Sequence, residues 1–208
     1  AVPRHSGSDD RYLQALLEGF TGELYQKESF INRPLDISFV IDQLEQFNSR
    51  RFDGRLELSR VGVMGHSFGG YTALAVAGAT IDFKGLKREC NRRAWSPNLS
   101  LVLQCRALEL PRQDYNFRDE RVAAIFVVNP VNRAIFGEKG LNQVTIPTLI
   151  AGGTEDPATP IPVEQMSTFV WLNTPDKYFV VVEGQAHVDV SQLDASTTAL
   201  LDTFPNLT

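Results

Sequence analysis

Four short apolar runs punctuate the chain, at residues 60–64, 122–128, 147–152 and 177–182, and each runs into a turn containing glycine, or asparagine and proline. Continuous rather than alternating apolar runs predict strands covered on both faces, the pattern of a parallel sheet flanked by helices. Between the runs, Pro34 to Asn48 predicts a helix with Pro34 near its first turn and Leu35, Phe39, Val40, Leu44 and Phe47 on one face. Tyr71 to Ala77 predicts a helix of small residues, and Pro162 to Leu172 another, striped by Val163, Met166, Phe169 and Val170. Near the end, Leu200, Leu201 and Phe204 fall close to helical spacing until Pro205 stops them. The expected class is α/β, a single domain over residues 1–208. Residues 81–121, too long for a simple connection, form a partly helical, cap-like insertion expected to shape the pocket over the sheet.

The junction after the first run carries the chemistry. Arg60-Val61-Gly62-Val63-Met64 leads into Gly65-His66-Ser67-Phe68-Gly69-Gly70 and then the small-residue helix. A strand, G-x-S-x-G and a helix together lift a serine hydroxyl to the tip of a tight turn. Gly65 and Gly69 are expected to be glycine because a Cβ would crowd that turn. The helix that follows points backbone N–H groups at whatever Ser67 attacks, with the Phe68 N–H as first oxyanion donor.

A serine hydroxyl needs a base, and the base needs a carboxylate to orient it. Of the three histidines, His5 reads as a loop residue before the first helix. His66 adjoins Ser67 with its side chain directed away, packing or hydrogen bonding beside the turn. His187 is the base, on the loop after the last apolar run. Glu155 and Asp156 follow the third run, on the side of a parallel sheet where Ser67 and His187 also emerge. Asp156 is the acid, because its short side chain on a proline-bounded turn is aimed more rigidly. Glu155, Glu183 and Asp189 read as solvated charges.

Gly65-His66-Ser67-Phe68-Gly69-Gly70, Gly152-Gly153-Thr154-Glu155-Asp156 with Thr159-Pro160, and Glu183-Gly184-Gln185-Ala186-His187 resemble the nucleophile, acid and histidine motifs of serine α/β-hydrolases. Within that fold the chain is similar to the dienelactone hydrolase group, to platelet-activating-factor acetylhydrolase-like esterases and to bacterial polyester-cleaving lipases. The resemblance implies carboxylic-ester hydrolysis without metal or organic cofactor, on a small-molecule or lipid ester. Dienelactone hydrolases of the named activity use a cysteine where this chain has Ser67. Plasma-type acetylhydrolases carry their acid after the strand that here ends in Asn129-Pro130, so Asp156 places the chain nearer the polyester lipases. Against the same family, residues 1–8 look like the tail of a strand and its loop. The expectation is a chain that begins inside the fold, lacking N-terminal strands and the loop that supplies a second oxyanion donor, held by a missing N-terminal portion of the same protein.

A net charge of −5 with a pI near 5.2 leaves no basic footprint for nucleic acid. No apolar run approaches the length of a membrane span. The compartment stays open, with a lean toward an exported or periplasmic one. Cys90 and Cys105 are either free buried thiols or one disulfide across the segment they bracket; with few histidines nearby they make no recognisable metal site. Asn98-Leu99-Ser100 and Asn206-Leu207-Thr208 match the glycosylation sequon, a pattern common by chance. Two other readings stand beside the esterase: a non-catalytic binding module or inactive fragment on the same fold, and a thioesterase or peroxidase using the same three residues.

Overall fold

The computed structural model of the protein describes residues 26–92, 96 and 98–187. His5, Trp95, Asp189, the second sequon and the C-terminal helical pattern lie outside the described residues. In chain order the elements are α1 (Ser29–Arg51), β1 (Val61–His66), α2 (Phe68–Val76), α3 (Phe83–Cys90), α4 (Leu101–Cys105), a 3-10 turn (Arg106–Glu109), β2 (Val122–Val128), α5 (Arg133–Leu141), β3 (Thr148–Gly153), α6 (Gln165–Trp171) and β4 (Lys177–Val182). The four strands make one parallel sheet in the order β1-β2-β3-β4. Their register pairs His66 with Val128, Val128 with Ala151, and Gly153 with Val182. Every strand therefore delivers its following loop to the same edge of the sheet.

Burial is uneven across the sheet. The central strands β2 and β3 are covered, with Val122, Val127 and Ile150 almost wholly inaccessible. Among the described residues, β1 pairs only with β2 and β4 only with β3, and Met64, Tyr178 and Val181 are exposed. The expectation of burial on both faces thus holds for the middle of the sheet and fails at β1 and β4.

Helix α2 lies against β1 and β2 and is buried along nearly its whole length. Its Phe68 and Tyr71 pack edge-on against Phe30 of α1, and Tyr71 stacks on Phe136 of α5. The Tyr71 hydroxyl donates to the Phe30 carbonyl at 2.8 Å. Helix α1 begins five residues before Pro34 and buries Phe30, Pro34 and Ile41, with Ile37 against the core. Leu35, Val40 and Phe47 are instead exposed, and Phe39, Val40, Leu44, Phe47 and Phe52 line an open apolar groove. The helix carries two apolar stripes, and periodicity alone does not say which one the core covers.

Helix α6 departs from expectation in a similar way. Met166 and Val170 face outward, whereas Gln165 and Thr168, with Glu164 just before them, are fully buried. Glu164 is the hub of an internal polar network. Its carboxylate accepts from the backbone N–H groups of Asn132 and Arg133 at 3.1 and 2.8 Å, where α5 begins, and from the side chains of Asn98 and Gln104. Burial raises its pKa against the opposing pull of these donors. Through Asn98, Ser100 and Gln104 the network pins the 81–121 segment to the body of the fold.

That segment is partly helical, as expected, and packs on α5. Cys90 and Cys105 form a disulfide across it. Asn98 is buried with its amide nitrogen held by Glu164, so the acceptor asparagine of the first sequon belongs to the interior. The disulfide closes a loop with a sequence separation of 15, a constraint on the unfolded chain worth about 3 kcal/mol. Urea unfolding of a Cys90→Ser/Cys105→Ser double variant is expected to show a loss of about that size; an unchanged midpoint and slope would mean that the staple adds nothing.

Candidate active site

Ser67 stands between β1 and α2 with φ 56° and ψ −119°, outside the regions a serine ordinarily occupies. Two backbone hydrogen bonds hold it there. Its N–H donates to the Val128 carbonyl at 2.9 Å, and its carbonyl accepts from the Val131 N–H at 3.1 Å. A Cβ on Gly65 would fall on the Gly69 carbonyl, and one on Gly70 would meet Pro130 at 2.6 Å. Gly69 itself faces open space, so the crowding expected at Gly69 falls on Gly70 instead.

The structure brings the three expected side chains together. The His187 Nδ1 lies 2.7 Å from Asp156 Oδ2, and its Nε2 lies 2.9 Å from Ser67 Oγ. These partners assign the proton to Nδ1, leaving Nε2 as acceptor for the serine hydroxyl. Both His187 and Asp156 are buried, while Ser67 keeps part of its surface open.

Asp156 is saturated with donors. Its Oδ1 accepts from the N–H groups of Ala158 and Thr159 at 2.8 and 2.9 Å; its Oδ2 accepts from the Thr159 hydroxyl at 2.6 Å as well as from His187. Burial pushes its pKa up, but the bonds from His187 and Thr159 outweigh burial and hold the carboxyl below its usual range. It stays ionised where an imidazolium would need it. Glu155 and Glu183 are exposed, as their reading as solvated charges requires.

His66 does turn away from the hydroxyl. Its Nε2–H donates to the His187 backbone carbonyl at 2.8 Å, and the two imidazole rings lie 4.9 Å apart. The residue keeps an exposed edge, yet partial burial and the neighbouring His187 push its pKa down to about 4, against the opposing effects of that hydrogen bond and of Asp156. His66 is therefore a neutral donor at ordinary pH.

Sequence reasoning missed several parts of this arrangement. In the sequence Thr159 stands out only as part of a motif, and Asn129 only as a position without a carboxylate. The loops after β3 and β4 are stitched together by Glu155 N–H to Gln185 O at 3.0 Å and Gly184 N–H to Thr154 Oγ1 at 2.8 Å. Backbone contacts of this kind leave no signature in a single sequence, although Gly153 hints at one: a Cβ there would strike the Gln185 carbonyl. The link from the insertion to this region is the Ser100 N–H, which donates to Ala158 O at 2.9 Å beside Asp156. Among the described residues, no group of His, Cys, Asp and Glu is placed to hold a metal, and no helix is long and apolar enough to cross a membrane. A cleft of about 610 Å³ lies among α3, α5 and Trp171, and none of Ser67, Asp156 or His187 lines it.

A parallel sheet with helices, a strained serine between β1 and α2, and a carboxylate and a histidine on the loops after β3 and β4 at the same edge define the architecture. This is the α/β-hydrolase fold. The family described as platelet-activating factor acetylhydrolase, isoform II matches residues 36–86, the stretch from α1 through the serine turn into α3. No curated protein matches the chain. Among solved structures, the chain is similar to a protein of Thermoplasma acidophilum described as a predicted CIB-like hydrolase, at 15% identity and a TM-score of 0.43, covering 85% of this chain and 59% of that one. It is similar also to a monoacylglycerol lipase of Paleococcus ferrophilus, at 12% identity and a TM-score of 0.44, covering 83% and 75%. A cold-adapted esterase from an Arctic intertidal metagenomic library is matched at 17% identity and a TM-score of 0.45, covering 96% and 66%. The chain thus spans 59% to 75% of the length of these three proteins.

The contrast between the two glycines flanking the serine turn is measurable. Gly65→Ala is expected to destabilise by about 1–3 kcal/mol, since the obstructing atoms are backbone. Gly69→Ala, in open space at the start of α2, is expected to be neutral or to gain up to about 1 kcal/mol from helix propensity. Thermal unfolding of the two variants distinguishes them, and equal losses would contradict the packing described.

Proposed function

We propose that the chain is a serine carboxylic-ester hydrolase. The observation that carries the reading is the unbroken hydrogen-bonded series from Ser67 Oγ to His187 to Asp156, at the end of a strained strand-to-helix turn. In this mechanism Ser67 attacks the ester carbonyl while His187 Nε2 takes its proton. Asp156 keeps the imidazole in the tautomer that can accept, and steadies the cation that forms. The Phe68 N–H, first in α2, stabilises the oxyanion. His187 then protonates the departing alcohol, and water activated by the same imidazole releases the acyl group from Ser67. The proposed steps use these three side chains, the Phe68 N–H and water, and call on no cofactor or metal.

A small-molecule or lipid ester is the proposed substrate. A net charge of −5 gives the chain no overall basic footprint of the kind a nucleic-acid partner calls for. The 81–121 segment is proposed to wall the ester pocket as a cap within a single domain, a reading supported by the bond from Ser100 to the loop beside Asp156.

Labelling with a fluorophosphonate and hydrolysis of a short p-nitrophenyl ester test the mechanism. Ser67→Ala is expected to abolish labelling, and Asp156→Asn to lower kcat by about 10²–10⁴ while labelling still occurs at Ser67. Labelling at another serine would overturn the assignment. An inactive and unlabelled wild-type chain would favour the non-catalytic binding module. For the cap, Leu99→Ser and Val102→Ser, both exposed apolar positions, are expected to change the ratio of rates on short and long acyl esters at unchanged labelling of Ser67. Equal effects on every ester would remove the segment from the pocket.

A further inference from the structure

Asn129 occupies the point where the loops of the site converge. It follows β2 with φ 44° and has no exposed surface. Its backbone N–H donates to Ala151 O at 2.9 Å, extending the pairing of β2 with β3 by one residue. Its side chain then reaches both neighbouring loops. Oδ1 accepts the Gly153 N–H at 3.0 Å, where β3 turns toward Asp156, and Nδ2 donates to Ala186 O at 3.4 Å, immediately before His187. The Asn129 carbonyl lies 3.3 Å from the Thr159 hydroxyl, whose proton goes to Asp156. On the other side, the residues flanking Asn129 hold Ser67: Val128 accepts its N–H and Val131 donates to its carbonyl.

The residue type follows from these demands. A left-handed backbone favours glycine, asparagine and aspartate. Of the three, only asparagine offers both an acceptor for Gly153 and a donor for Ala186. Glycine would leave a buried N–H and a buried carbonyl without this partner. Aspartate would keep the acceptor but set a carboxylate oxygen against the Ala186 carbonyl. Nothing in the arrangement gives Asn129 contact with the reacting atoms; its reach is to the backbone that carries them.

We propose that Asn129 is a positioning residue of the hydrolytic site, its side-chain amide fixing the spacing between the Asp156 loop and the His187 loop so that Nδ1 meets Oδ2 while Nε2 faces Ser67. The inference rests on the hydrolase reading above. Its signature is a loss in the chemical step without a matching loss of substrate binding, because the substrate touches neither loop through Asn129.

The full chain is compared with Asn129→Asp and Asn129→Gly, both of which tolerate the backbone conformation. Measured together are kcat and KM on a short p-nitrophenyl ester, the rate of fluorophosphonate labelling at Ser67, and the thermal midpoint. The expected result for Asn129→Asp, the shape-conserving variant, is a kcat lower by roughly 10- to 100-fold, KM within about twofold, and labelling slowed in parallel, with the protein folded at the assay temperature. Asn129→Gly is expected to lose kcat to a similar extent. A folded Asn129→Asp or Asn129→Gly with wild-type kcat overturns the proposal, as does a loss that merely tracks the unfolded fraction. A wild-type chain that neither hydrolyses the ester nor labels at Ser67 overturns the hydrolase reading itself, a failure distinct from active wild type with indifferent Asn129 variants.

Discussion

The site depends on a backbone that serine would not choose unaided. At Ser67 the chain takes a positive φ, and the cost of such a conformation, of order 1–3 kcal/mol, must be met by its surroundings. They are specific: the hydrogen bonds to Val128 and from Val131, the missing side chains at Gly65 and Gly70, and the burial of α2 against Phe30 and Phe136. Because β1 and β2 run parallel, the loop that follows β2 arrives beside Ser67 at the height where it can clamp the turn. The sheet thus imposes the strain and, through its next strand, also contains it.

Parallel pairing has a second effect on the electrostatics. It gathers at one edge the loops that hold Asp156 and His187 and the end of β1 that holds His66, a carboxylate and two imidazoles in close company. The carboxylate accepts four hydrogen bonds and stays ionised despite burial. The second imidazole is kept neutral and spends its proton on the backbone of the first. Only one histidine of the pair is left facing Ser67. A charged His66 at that distance would oppose a positive charge on His187; its depressed pKa removes the conflict at ordinary pH.

What could be seen in the sequence is what local pattern controls. The four strands, the small-residue helix after Ser67 and the fold class were legible because apolar continuity and glycine spacing report burial and turning directly. Ser67, His187 and Asp156 were legible as a set because each follows a strand, and the ends of strands in a parallel sheet share an edge. Less local features were hidden. The burial of Ile37 and Ile41 rather than Leu35 and Val40 on α1 depends on which side of the helix meets α2. The inward turn of Glu164 depends on donors from Asn132, Asn98 and Gln104, residues remote in the chain. Polar residues on a helix signal solvent unless their partners are known, and no single sequence names those partners.

The interior placement of Asn98 has a bearing on how the chain matures. Its amide nitrogen is already committed to Glu164, inside the network that docks the disulfide-closed segment. An oligosaccharide on that nitrogen and the docked segment exclude one another. In a secretory host that attaches sugars during translocation, transfer at this sequon would compete with folding, and each glycosylated molecule would carry its insertion undocked.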